Sequence, residues 1–202
     1  MAEQAPLPTL EEFLGSQVAP RFGEQVAQLE RRLAEVQRQI EDLRAAQATI
    51  VWEVEGSPPQ ISYANISAGQ MSIGREPAHE PVMRIVQSAE DWAKFASGLP
   101  ALFTADPRRP LGKSRIDRIR GLQGAIRFVL SGAPGGSDWT CWVVFGGGEK
   151  PAEPRVTIQL PADALAQIQS GKLDPQAAFM QGQVRLAGDM GFAMQVGMAL
   201  FL

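Results

Sequence analysis

The sequence predicts an α+β fold of two pseudo-repeated β-β-β-α units, preceded by one long N-terminal helix. Three observations lead there. Apolar residues recur at spacings of three and four between Phe22 and Leu43, short β-branched runs separated by Gly and Pro follow from Thr49, and the pattern of residues 76–98 returns at 149–171.

At 202 residues, 45% hydrophobic and 20% charged, the chain can bury a substantial core. A net charge of -3 argues against a nucleic-acid partner, which calls for a basic stripe. One local basic run, Arg108, Arg109, Lys113, Arg115, Arg118 and Arg120, reads as a solvated loop and helix face, with anionic headgroups or a partner's acidic patch as the sharper option. Cys141 is the single cysteine, so no internal disulfide forms and nothing marks an oxidising compartment. Residues 1–20 lack a basic segment followed by an apolar run, and the longest uncharged apolar stretch, Met190 to Leu202, is too short to span a bilayer. We therefore expect a cytoplasmic protein with no transmembrane segment, in which the Asn65-Ile66-Ser67 sequon is incidental.

Residues 1–20, with Pro6, Pro8 and Pro20, are expected to be an irregular arm with at most a helical turn near Leu10–Leu14. Residues 21–48 form a heptad helix with Val26, Leu33 and Ile40 at a and Phe22, Leu29, Val36 and Leu43 at d. That seam either meets another chain as a coiled coil, in a homo-oligomer or with an enzyme partner, or lies on this protein's own sheet. Periodicity leaves both open.

Residues 49–98 make the first unit. Strands are predicted at 50–54, 61–66 and 82–86, followed by a helix with Ser88 as N-cap and Glu90 and Asp91 in its first turn. Residues 99–113, carrying Pro100, Pro107 and Pro110, form a linker. The second unit, 114–202, opens with a short helix near Ser114–Leu122 and then repeats the first: Glu80/Glu153, Pro81/Pro154, Ile85/Ile158, Ala89/Ala162, Ala93/Ala166 and Gly98/Gly171 match at one constant offset. Beyond Gly171 it continues alone, with a short helix at Pro175–Met180 and a strand at 183–187.

Acid-base or nucleophilic chemistry needs positioned partners, and the chain is poor in them. His79 is the lone histidine, in a loop between Pro77 and Pro81, and no nucleophile motif surrounds Cys141. We expect no catalytic residues, no metal site and no cofactor. Gly112-Lys113-Ser114 ends like a phosphate loop, but Pro107 stands where the first Gly is required. Gly146-Gly147-Gly148 reads as a hairpin loop.

The tail from Gly171 holds four of the seven methionines, together with Phe179, Phe192 and Phe201. Three pieces of it, Gly171-Lys172-Leu173-Asp174-Pro175, Ala178-Phe179-Met180-Gln181-Gly182 and Gly188-Asp189-Met190-Gly191, resemble the C-terminal signature of the sterol carrier protein 2 (SCP2) family of lipid-binding domains. The resemblance is clear over about 165–198 and continues, more weakly, back to about 115. It implies a helical layer over a curved sheet, with a tunnel between them for acyl chains, sterols or other lipids. It also favours a helix after Met190, as do the good helix formers there, although the alternation of Met190, Phe192, Met194, Val196 and Met198 by itself favours a strand.

On that resemblance the second unit supplies the tunnel. Its candidate lining is Phe128, Leu130, Trp142, Leu165 and Ile168 from the body of the unit and Phe179, Met180, Met190, Phe192, Met194 and Met198 from the tail. Two departures stand out: the first unit lacks its own copy of the tail, and the heptad helix is extra. The expected function is a non-catalytic carrier of a lipid or other hydrophobic metabolite that presents its cargo to an enzyme. The alternative is a structural adaptor that uses the same core as scaffold and the long helix for assembly.

Overall fold

The computed structural model describes residues 9–97, 111–133 and 136–201. Its chain divides into two compact units, one up to Glu41 and one from Asp42 onward.

The first unit is helical. Thr9 opens it with a capping box: its hydroxyl accepts from the Glu12 N–H (3.2 Å), while the Glu12 carboxylate accepts from the Thr9 N–H (2.9 Å). Helix α1 (Leu10–Phe13) runs through a π-helical turn at Leu14–Val18 into α2 (Ala19–Ala45). The arm expected to be irregular over 1–20 is thus helical from Leu10, its first eight residues lying outside those described. The reason is the π turn itself. Pro20 has no N–H, and its ring would collide with the Ser16 carbonyl; widening the turn just ahead, where the Ala19 N–H reaches back to the Leu14 carbonyl, lets the helix pass through. α2 stops at Ala45, short of the predicted 48, because Ala48 already belongs to a strand.

The second unit is a single sheet with helices on one face. Strands β1 (Ala48–Val54), β2 (Gln60–Ser67), β3 (Gln70–Gly74) and β4 (Pro81–Gln87) are followed by α3 (Ala89–Ala96). After a linker that is mostly outside the described residues come α4 (Lys113–Arg120), β5 (Gly124–Ser131), β6 (Trp139–Phe145), β7 (Val156–Pro161) and α5 (Ala162–Gln169). The tail forms α6 (Pro175–Met180), β8 (Arg185–Gly188) and α7 (Met190–Phe201). The eight strands order as β3-β2-β1-β4-β6-β5-β7-β8. β1 pairs antiparallel with β2 on one side and parallel with β4 on the other; β5 does the same with β6 and β7. β4 and β6 join the two halves antiparallel.

Two expectations are corrected. Residues 70–74, which lie between the strands predicted at 61–66 and 82–86, form β3, because Ala68 and Gly69 take positive φ and turn the chain into a hairpin on β2. Gly146-Gly147-Gly148 is not a hairpin loop: β5 lies between β6 and β7, so the chain must cross it. Gly147 is needed there, since its φ is +69° and a Cβ would fall 2.5 Å from the Pro81 Cβ.

Period-two alternation sorts the sheet into two faces. Ile50, Ile85, Ile126, Phe128, Leu130 and Val143 point into a core that also takes Ile116 and Ile119 of α4 and Leu165 of α5. α3 settles on the same face through rings: Phe95 lies 5.4 Å from Trp52 and 6.2 Å from Trp139. The opposite face carries Arg84 and Glu53, paired at 2.5 Å.

Candidate functional site

The tail is laid onto the sheet by a short run of backbone demands. Gly171 (φ +73°) closes α5, and Asp174 caps α6 by accepting from the N–H groups of Gln176 (2.9 Å) and Ala177 (3.0 Å), with Pro175 at the first helical position. Ala178 is fully buried, and its carbonyl accepts from Gln183 N–H (2.9 Å) and Val184 N–H (3.2 Å), turning the chain into edge strand β8. β8 ends at Gly188, whose φ is +109° and whose Cβ would sit 2.2 Å from the Arg155 carbonyl. Only glycine allows this approach.

Asp189 then starts α7. One carboxylate oxygen accepts from Phe192 N–H (2.9 Å) and the other from the Arg155 guanidinium (2.5 Å), while the Asp189 N–H donates to the Arg155 carbonyl (2.9 Å). The Phe192 N–H foremost, and then Arg155, hold the Asp189 carboxyl below the usual carboxylate range. The Arg155 guanidinium also donates to the Gln123 carbonyl (2.8 Å) and lies 4.2 Å from the centre of the Phe192 ring, whose edge meets Phe145 at 6.1 Å. Phe192 is therefore gripped on two sides and is 1% exposed.

α7 has two faces. Phe192, Val196 and Ala199 recur at helical spacing and are buried against the sheet. Met190, Met194 and Met198, four residues apart, form an outward stripe, with Met194 64% exposed. On α6, Phe179 and Met180 are exposed as well, Met180 at 78%.

The sequence-predicted lining thus falls into three sets. Phe128, Leu130, Leu165 and Phe192 are buried on the helix-covered face, and Ile168 packs half-buried against them. Phe179, Met180, Met190, Met194 and Met198 stand at the outer surface of the tail helices. Trp142 belongs to neither: in β6 the buried residues Trp139, Cys141 and Val143 alternate with it, so it faces the other side of the sheet, with the Lys150 ammonium 5.4 Å from its ring centre. Arg155, Val196 and Ala199 were not anticipated. The helical spacing from Phe192 points to the last two, whereas Arg155 carries no local signal, its partner lying 34 residues away.

Residues 108–201 match the SCP-2 sterol transfer family. Over these residues the chain is similar to the SCP2 family of lipid-binding domains. Sterol carrier protein 2 of Oryctolagus cuniculus is 33% identical over 87 residues, covering 39% of this chain and 15% of that protein. Hydroxysteroid dehydrogenase-like protein 2 of Danio rerio is 27% identical over 146 residues, covering 60% of this chain and 34% of that protein. Among solved structures, the sterol carrier protein domain 2 of Helicoverpa armigera is 28% identical, covering 52% of this chain and 82% of that one, with a TM-score of 0.33. The chain spans about 15% of the length of the first curated relatives it matches.

Within the matched residues the phosphate-loop-like Gly112-Lys113-Ser114 has a structural occupant. The Asp42 carboxylate accepts from the Ser114 N–H (3.0 Å) and hydroxyl (2.7 Å), capping α4, and a Cβ on Gly112 would fall 1.9 Å from it. Three members of the basic run are also engaged: Lys113 and Arg120 pair with Asp117, and Arg115 donates to the Leu200 carbonyl. Burial, with a smaller contribution from the Asp91 charge, pushes the Cys141 thiol far up, so it stays protonated. His79 sits in the turn between β3 and β4, its N–H donating to the Thr49 hydroxyl (3.0 Å). The Asn65 amide ties that turn down, accepting from Thr49 Oγ1 (2.7 Å) and Ala78 N–H (2.9 Å) and donating to the Glu76 carbonyl (3.1 Å). Among the described residues no three His, Cys, Asp or Glu gather to hold a metal ion, and no helix is long and apolar enough to cross a membrane.

Proposed function

We propose that this protein is a non-catalytic carrier that holds a lipid or other hydrophobic metabolite between the sheet and the tail helices of its SCP2-like domain and presents it to an enzyme. The observation that carries the reading is α7 itself: its inner face seals the apolar side of the sheet, while its outer Met stripe, continued by Phe179 and Met180, extends that apolar surface to the solvent. Methionine is unbranched and polarizable, so such a rim adapts to alkyl chains and rings of differing shape. Each CH₂ taken out of water contributes about 0.8 kcal/mol, enough to bind a long chain without a charged anchor. In this reading Phe128, Leu130, Leu165, Ile168 and Phe192 form the floor, and Met190, Met194 and Met198 the adaptable mouth. The inert Cys141 and the backbone role of the His79 segment support a role without chemistry of its own.

The reading also treats 49–98 and 114–202 as two related units, of which only the second has the tail. Its support is that β1 and β5 have the same pairing order and that α3 and α5 begin and end at the same offset that relates the matching residues. The test is extraction of the purified protein followed by mass spectrometry, with titration of a fluorescent fatty-acid analogue. We expect a co-purified hydrophobic compound or saturable binding of the analogue; finding neither overturns the carrier.

A further inference from the structure

Among the described residues, the seam of the N-terminal helix stands exposed. Phe22, Val26, Leu29, Leu33, Val36 and Ile40 are each between 41% and 71% exposed. A helix with this much apolar surface gains nothing from leaving it in water, and most helical stability comes from packing such a face rather than from propensity. The geometry of the unit supports a continuous seam. From Leu10 through Leu14, Val18 and Phe22 to Val26 the apolar residues are four apart, and each step of four carries the stripe about 40° round a regular α-helix. The π-helical turn at Leu14–Val18 widens one of these steps and reduces the drift, so the stripe enters the heptads near the same side.

We propose that this seam is covered by a second copy of the chain, in a parallel, in-register, two-stranded coiled coil. Two of the three heptads, Val26/Leu29 and Ile40/Leu43, pair a β-branched a residue with Leu at d, the combination that favours two parallel strands over higher assemblies, while the middle heptad reverses it with Leu33 at a and Val36 at d. The flanking positions agree. In a parallel pair each g residue meets the e residue five positions on in the partner, which brings together Gln25 with Glu30, Arg32 with Gln37, and Gln39 with Arg44. Each pair sets an amide against a charge, so no like charges meet along either side. A copy of the same chain is thus a compatible partner over the whole seam. This inference is independent of lipid carriage.

The test is the mass of the full-length protein in solution. Light scattering on the eluting peak is expected to give twice the chain mass of 21.9 kDa, and the double variant Leu33→Asp/Ile40→Asp is expected to give the single-chain mass. All four tryptophans lie at or beyond residue 52, so an unchanged tryptophan emission spectrum shows that the sheet unit of the variant is still folded. Orientation is read from Leu29→Cys: a parallel in-register pair brings this d position against itself, and mild oxidation yields a disulfide-linked dimer that is absent for the Arg31→Cys control on the outer face. A single-chain mass for the wild type, an undiminished dimer in the double variant, or no preference of Leu29→Cys over Arg31→Cys overturns the proposal.

Discussion

The Arg155 guanidinium donates to the Asp189 carboxylate at 2.5 Å while its central carbon lies over the Phe192 ring, 4.2 Å from the ring centre. One side chain thereby fastens both the N-cap and the first inward anchor of α7, and the Gly188 backbone lies close enough to the Arg155 carbonyl for this only because it lacks a Cβ. The Gly188-Asp189 pair in the tail is thus a docking device for the helix that carries the Met stripe.

Asp189→Asn keeps a good cap but removes the charge facing Arg155; Asp189→Ala removes both. Thermal unfolding is expected to rank wild type above Asp189→Asn above Asp189→Ala. Because the folded carboxyl is held below its ordinary value of about 3.9, its contribution is present above that pH and is lost as pH falls through the folded value. The acid limb of the stability profile is therefore expected to be shallower in Asp189→Asn than in wild type.

The two faces of α7 separate stability from binding. Phe192→Ala removes a buried ring and is expected to cost about 3–5 kcal/mol in chemical denaturation. Replacing the exposed Met194 and Met198 with Ser is expected to change stability by about 0.5 kcal/mol or less per site. The same double replacement is expected to weaken binding of the fatty-acid analogue several-fold. Unchanged binding would remove the Met stripe from the site.

Gly147→Ala places a Cβ into Pro81 at a positive φ, and more than about 1 kcal/mol of destabilisation is expected in an equilibrium urea titration. Gly148→Ala, with nothing within 4 Å of its added Cβ, serves as the mild neighbour.

Cys141 is fully buried with its thiol pushed up by that burial, so a disulfide thiol reagent at pH 8 is expected to leave the folded protein unlabelled and to react promptly once denaturant is added. Rapid labelling of the native state would mean that β6 opens readily.

Much of this was legible along the chain because it depends on near neighbours. The heptads between Phe22 and Leu43, the Ser88 and Asp174 caps, Pro175 at the start of α6 and the edge strand near 185–188 follow from spacing and local hydrogen bonding, and the tail's wording pointed to the SCP2 family before any strand was placed. What tertiary structure decided are the relations between distant residues. A period-two strand does not say which of its faces is covered, so Trp142 and Trp139 were interchangeable in the sequence, and only the β5–β6 register turned Trp142 away from the helices. Pro20 read locally as a break, and only the π turn ahead of it carried the helix on. Pro107 already ruled out a phosphate loop at Gly112-Lys113-Ser114, but only the fold brought Asp42 onto it, and Arg155 had no visible purpose until the chain returned Asp189 to its side. Local chemistry is written in adjacent residues, whereas these contacts exist only once the sheet has set which strands are neighbours.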